Sequence, residues 1–345
     1  MLIKAAVLEK LNTNLKIREL STTNLVAGQV LIKIYYSGIC RSQLMEIKGK
    51  RGVDNWLPHL LGHEATGVVM NIGPSVTKFK LGDKVILGWI KNKGIDAVGA
   101  KYKYKNFIIN SGPVSTFSNY SVVSENRLTK MPPNVDFKTG VLYGCAILTG
   151  AGLVLNEIKP KKDLYIAALG IGGIGLAGIL ALKAIKHSKV IIIDKSLEKL
   201  KYANSLGFKY LFNKIDSNVE KKIRELTNGG VDYCIESAGS SKTIEFGFKI
   251  LNQTGELYFA SHPPTGNKIS IDPHELISGK KIYGTWGGSS KPEIDIKKIS
   301  KLFFLEKIDL NHLISKEYAL QDINKALYDL EHNKVFRPLI KMSHD

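Results

Sequence analysis

Residues 164–194 decide the fold. They read Leu164-Tyr165-Ile166-Ala167-Ala168-Leu169, then Gly170-Ile171-Gly172-Gly173-Ile174-Gly175, then an apolar run to Leu182, and end on Val190-Ile191-Ile192-Ile193-Asp194. A short buried strand runs into a glycine turn, a helix starts at the turn, and a second apolar strand ends on an acid 24 residues after the first glycine. This is the strand–turn–helix–strand context that a G-x-G-x-x-G turn needs to hold a dinucleotide. One glycine permits the tight turn, one lets backbone approach a pyrophosphate, and one lets helix and strand pack closely. The phosphates rest on unpaired N–H groups at the helix N-terminus. Asp194 is expected to accept hydrogen bonds from the adenosine ribose and to repel a 2′-phosphate, which favours NAD over NADP.

The same stretch has a competing reading, because Leu164 to Leu182 is an uncharged run of 19 residues, long enough for a membrane span. Five glycines interrupt it, and the second strand and its acid follow at the spacing of a βαβ unit. A span explains none of these features.

Outward from this centre, the 345-residue chain has room for two cores. With 44% apolar and 23% charged residues it has the composition of a globular protein. Charges at Lys4, Glu9 and Lys10 break the apolar N-terminus, so neither a signal peptide nor an anchor is expected, and a cytoplasmic location follows. A formal charge of +18 raises binding to nucleic acid as an alternative. The excess is nearly all lysine spread along the chain, however, and arginine forks are preferred where phosphates are read. Only Cys40, Cys145 and Cys234 are present, too few for a disulfide scaffold and suited to a reducing compartment.

Residues 1–146 read as mainly β, with short apolar runs such as Val30 to Ile34 and Lys84 to Leu87 punctuated by glycine. Residues 147–288 alternate strand and helix, the pattern of a doubly wound parallel sheet. In them Ser196 is expected to cap a helix that Gly207 ends. Residues 289–345 finish with a helix over 320–332 and a strand over 335–341, expected to return to the first domain. The alternation of lysine and tyrosine over 101–105 reads as a solvated edge strand.

Two thiols and an imidazole form a zinc ligand set, and three protein ligands leave the fourth position open, as a catalytic zinc requires. Cys40, His63 and Cys145 supply such a set. The segment Gly62-His63-Glu64-x-x-Gly67-x5-Gly73-x2-Val76, the order Cys40, His63, Cys145, and the glycine turn with Asp194 resemble the zinc-containing alcohol dehydrogenases of the medium-chain dehydrogenase/reductase family. That resemblance covers nearly the whole chain. It implies an α/β fold in which a Rossmann doubly wound parallel sheet is inserted in a GroES-like β-barrel catalytic domain.

The resemblance also implies site roles. Cys40, His63 and Cys145 become the catalytic zinc ligands, with Glu64 beside the metal and Ser42 as the hydroxyl that relays the substrate proton. Gly170, Gly172, Gly173, Gly175, Asp194 and Lys199 become the NAD site, with Thr149 against the nicotinamide and Arg41 and Arg337 on the pyrophosphate. Trp56 and Trp89 are candidate pocket walls. The implied activity is zinc-dependent hydride transfer between a primary or secondary alcohol and NAD, in a homodimer or homotetramer. Alternatives are a polyol, sugar or sugar-phosphate dehydrogenase, with Arg51, Asp54 and Trp56 facing the substrate, and an NAD-binding protein without zinc catalysis. Neither nucleic acid nor membrane is an expected partner.

Departures from the family narrow these implications. The stretch 91–117 lacks the four cysteines of a structural zinc, so one zinc per chain is expected. Gln43 stands where an aspartate usually orients the zinc-bound histidine, and its amide oxygen is expected to accept the imidazole hydrogen. Met45 replaces a histidine that ends the relay in some members.

Overall fold

The computed structural model describes residues 1–344. The chain separates into two compact units, one comprising Met1–Cys145 with the return from Lys291, the other Ala146–Ser290.

In the second unit, six parallel strands lie in the order Tyr210–Phe212, Val190–Ile193, Ile166–Leu169, Val231–Glu236, Leu251–Phe259 and Lys281–Gly284. The chain thus starts in mid-sheet and winds outward both ways, which places the ends of Ile166–Leu169 and Val231–Glu236 side by side at the reversal point where such sheets bind ligands. Ile166–Leu169 and Val190–Ile193 are buried at every residue, since helices cover a parallel sheet on both faces. Ala167, Leu169, Ile191, Ile193, Cys234 and Leu257 form one of its cores with Ile223 and Phe248.

The 19-residue apolar run is therefore a strand, a turn and the first part of helix Gly173–Ala184, whose nine buried residues leave it little polar surface. A helix buried nearly all round reads as continuously apolar. No single helix among the described residues is long and apolar enough to cross a membrane. Ser196 accepts a hydrogen bond from Lys199 N–H and caps helix Leu197–Ser205, and Gly207 follows at φ +98°.

In the first unit, Leu2–Leu8, Lys16–Thr22, Lys101–Tyr104, Phe107–Asn110 and His59–Leu60 close a barrel. The reading of 101–105 as an edge strand is corrected here. Lys101–Tyr104 pairs with Lys16–Thr22 on one side and Phe107–Asn110 on the other. Its alternation arises because Tyr102 points into the barrel core with Ile3, Val7, Leu20 and Ile109, while Lys101 and Lys103 face water.

A second sheet runs Leu128–Lys130, Lys84–Leu87, Ala65–Ile72, Gln29–Gly38, Pro338–Lys341 and Lys316–Ala319. Val30, Ile32 and Ile34 point from its long strand into a core shared with Val69, Val85 and Leu87. Residues from the chain's last segment join this core, among them Ile323, Leu330 and Ile340. The return strand pairs Leu339 with Gly38 and Ile340 with Ser37. It therefore ends beside the segment that leads into Cys40.

Candidate metal centre and dinucleotide turn

Cys40 leaves strand Gln29–Gly38 and caps the N-terminus of helix Arg41–Ile47. His63 follows Gly62, whose φ of +93° turns the chain before strand Ala65–Ile72. Cys145 sits where a 3-10 helix, Val141–Gly144, gives way to helix Ala146–Gly152. These three residues meet, with one ligand atom from each lying within 4.8 Å of the others. His63 Nδ1 is engaged by Gln43 at 2.6 Å. The other ring nitrogen, Nε2, is buried and has no hydrogen-bond partner.

A buried ring nitrogen beside two sulfurs, which also helps to lower the Cys40 thiol, makes a donor set that suits a cation. The Cys40 thiol is held well below its ordinary value by the hydrogen bond from Cys145 and by the charge of Arg337, against the effect of burial. Cys145 is pushed well above it by its bond to that thiolate and by burial. The pair thus holds its first negative charge on Cys40, and a metal would draw the second proton off.

Glu64 is fully buried behind the ligands, and its carboxylate meets the Arg337 guanidinium. Burial works against the charge on Arg337, and Glu64 and the two thiols more than offset it, so its pKa is raised well above the ordinary value. Two thiolates and Glu64 together balance a divalent ion plus Arg337. Ser42 Oγ is likewise buried without a partner.

The fingerprint turn lies in the second unit. Gly170 has φ +79°, and a Cβ there would strike Ala238. Gly172 caps helix Gly173–Ala184, and Gly175 packs against the Gly170 carbonyl. Asp194 accepts from Ile171 N–H at 2.8 Å and from Ser196 N–H at 2.9 Å, and Lys199 Nζ lies 3.6 Å away. Beyond any contact with a ribose, the acid ties the glycine turn to the end of its strand. Thr149 is buried in helix Ala146–Gly152.

The remaining site candidates have partners or surroundings of their own. Arg41 donates to Leu330 O at 3.0 Å and Asn333 Oδ1 at 2.7 Å, closing the end of helix Ile323–Glu331, and Arg337 is 3% exposed and bound to Glu64. Both cations thus have partners inside their own unit. Gln43 shows the reverse of the expected polarity: its oxygen accepts from Cys40 N–H at 2.7 Å, so its NH2 group faces His63. Trp56 is 71% exposed, and the carbonyl of Trp89 is held by Arg127.

Glu236 was not singled out from the sequence. Fully buried at the end of strand Val231–Glu236, it accepts from Ala238 N–H, Gly239 N–H and the Thr243 hydroxyl. It shapes the loop whose Ser237 donates to Gly170 O. The signal was the same as for Asp194, an acid ending an apolar strand.

Comparison with known proteins agrees with this arrangement. Residues 26–133 match the alcohol dehydrogenase GroES-like domain and residues 173–304 the zinc-binding dehydrogenase domain, together well over half of the chain. The chain belongs to the zinc-type alcohol dehydrogenases of the medium-chain dehydrogenase/reductase family. This alcohol dehydrogenase is 28% identical to S-(hydroxymethyl)glutathione dehydrogenase of Synechocystis sp., over 96% of each chain. Benzyl alcohol dehydrogenase from Acinetobacter calcoaceticus superimposes with a TM-score of 0.89 at 27% identity, over 99% of this chain and 100% of the other. For 2R,3R-butanediol dehydrogenase from Bacillus subtilis the TM-score is 0.78 at 25% identity, over 98% and 99%. As a zinc-type alcohol dehydrogenase the chain is an oxidoreductase that acts on an alcohol.

Proposed function

We propose that the enzyme oxidises primary or secondary alcohols whose carbon skeleton is apolar or aromatic, in preference to polyols or sugar phosphates. The reading is carried by the convergence of Cys40, His63 and Cys145 within 4.8 Å around a buried nitrogen without a partner. The choice against polyols rests on the loop before His63. There Asp54 is engaged by His59 at 2.8 Å and by Trp56 N–H at 3.0 Å, and Arg51 lies 3.6 Å from Glu46. Polar groups already engaged with each other gain less from a polyhydroxy ligand, which must compete with those contacts. The aromatic relative, benzyl alcohol dehydrogenase, supports the same choice.

In this reading Cys40, His63 and Cys145 hold the zinc, which supplies Lewis acidity that makes a substrate hydroxyl easier to deprotonate. The Gly170–Gly175 turn, with Asp194 and Lys199, would hold NAD, which would supply the hydride acceptor. Ser42 would relay the substrate proton through its buried Oγ, accepting it as its own hydroxyl hydrogen passes on toward water, and that oxygen has no protein partner. Glu64 and Arg337 keep the charge around the ligands near zero, so neither the thiolates nor a developing negative charge on the substrate goes uncompensated. Trp89 forms an aromatic wall.

The outer edge of strand Lys281–Gly284, with Tyr283 and Trp286 exposed beside it, is where we place a homo-oligomeric contact. A monomeric mass in sedimentation would remove that contact. The test of substrate class is NADH formation from benzyl alcohol, simple aliphatic alcohols, butanediol and sorbitol. The first two should exceed sorbitol in kcat/KM by about tenfold or more, and a clear preference for the polyol would overturn the assignment. NADP in place of NAD should support little turnover.

A further inference from the structure

Helix Pro292–Leu305 is the first element of the return to the first unit, and its sequence places apolar residues on every side. Packing divides them. Ile296, Ile299 and Phe303 are buried, and Asn134 donates to Ser300 O at 3.1 Å on the same side. The opposite side carries Ile294, 60% exposed, Phe304, 68%, and Leu305, 63%. At 3.6 residues per turn these three share one arc of about 120° with the exposed side chains of Lys297, Lys298 and Lys301. No acid interrupts that arc. Glu293 is paired with Lys78 at 2.6 Å, and Asp295 is buried and accepts from Lys291 N–H at 2.6 Å. The three lysines take part in no ion pair among the described residues.

Exposed apolar residues scattered singly need no cover, but three on one arc mark a contact face. Its chemistry selects the occupant. A second copy of the same face would set lysines against lysines. A nucleic acid would pair the lysines and leave Ile294, Phe304 and Leu305 in water. An anionic lipid surface satisfies both kinds of side chain, because apolar groups enter the acyl boundary while lysine stems reach back to the headgroup phosphates. The chain's charge of +18 draws the whole molecule toward such a surface. We propose that helix Pro292–Leu305 is a peripheral docking site for anionic lipid, lying in the plane of the interface with Ile294, Phe304 and Leu305 toward the acyl chains. The contact is reversible and lies on the surface, unlike a span. No membrane partner is expected from the sequence, because only the packing of this helix shows which of its apolar residues face outward.

The experiment uses the full-length protein and vesicles of phosphatidylcholine, alone or mixed with phosphatidylglycerol, collected by sedimentation. At low salt the protein should partition onto the mixed vesicles at least about tenfold more strongly than onto phosphatidylcholine, and it should come off as salt is raised. The double variant Phe304→Ser, Leu305→Ser leaves the charge alone, and the triple variant Lys297→Gln, Lys298→Gln, Lys301→Gln leaves the apolar groups. Each should lower the partition by about tenfold or more, with alcohol oxidation and melting temperature close to those of wild type. Lys101→Gln, Lys103→Gln, Lys105→Gln removes the same charge from the barrel and should lower it by less than about threefold. Absence of binding to the mixed vesicles overturns the docking site. Equal losses in the two lysine triples, or undiminished binding by the double serine variant, show attraction by net charge alone and overturn it too. A lower mass for the double serine variant than for wild type, in sedimentation without vesicles, assigns the face to contact between copies and likewise overturns it.

Discussion

Glu125 carries more structure than its place in a short 3-10 turn suggests. It is 1% exposed, and its carboxylate accepts from the backbone N–H groups of Thr77, Lys78 and Ile95, pinning two loops of the first unit to strand Tyr120–Ser124. Burial alone would raise its pKa; the three backbone donors and Lys78 outweigh it, so the folded value lies below the ordinary 4.5. A depressed folded pKa contributes stability that is complete above the unfolded value and is lost as pH falls through the folded one. Glu125→Gln should therefore cost about 1–3 kcal/mol near pH 7, with the gap to wild type closing below about pH 4. Thermal unfolding of both proteins across pH 7 to 3 checks this, and a gap independent of pH would show that charge plays no part. At this scale the sequence disclosed identities better than partners. Cys40, His63 and Cys145 were legible as a set because zinc chemistry restricts the residue types, whereas the polarity of Gln43 was not, because it depends on a backbone N–H that no spacing reveals.

The turn Gly170–Gly175 shows how one element separates folding from binding. A Cβ on Gly175 would lie 2.0 Å from Gly170 O and 2.6 Å from Ser237 Oγ, so Gly175→Ala should disrupt the junction of strand and helix and unfold the second unit at lower temperature. A Cβ on Gly172 would meet nothing within 4 Å, and its backbone has φ −72°. Gly172→Ala should leave the melting temperature within about 2 °C while weakening NAD by about tenfold or more, because the methyl group fills the space a pyrophosphate needs. Titration calorimetry with a thermal melt separates the two variants, and unchanged NAD affinity in Gly172→Ala would move the phosphates off this turn. Elements formed by local sequence, such as this turn and the Ser196-capped helix, could be read before any coordinates. Strand Lys101–Tyr104 could not be placed in the interior of a sheet, because its second neighbour, Lys16–Thr22, is remote in sequence.

Across the whole molecule, the chain builds the metal-binding unit first, interrupts it with the doubly wound unit, and returns to complete it. The return delivers Arg337 to Glu64 and strand Pro338–Lys341 to Gln29–Gly38, so the surroundings of the metal are finished by the last few residues. Alternation of strand and helix made the inserted unit legible. The pairing of the return with strand Gln29–Gly38 was not, because it joins residues some 300 apart and depends on the assembled sheet.

The claim on which the rest depends is that Cys40, His63 and Cys145 hold a zinc that the reaction requires. Its most direct test is zinc content and NAD reduction measured on the same preparation of wild type and His63→Ala. The account predicts about one zinc per wild-type chain, activity that falls with zinc on chelation and returns with added Zn²⁺, and neither zinc nor activity in the variant. Full activity in chelated, zinc-free protein would contradict it.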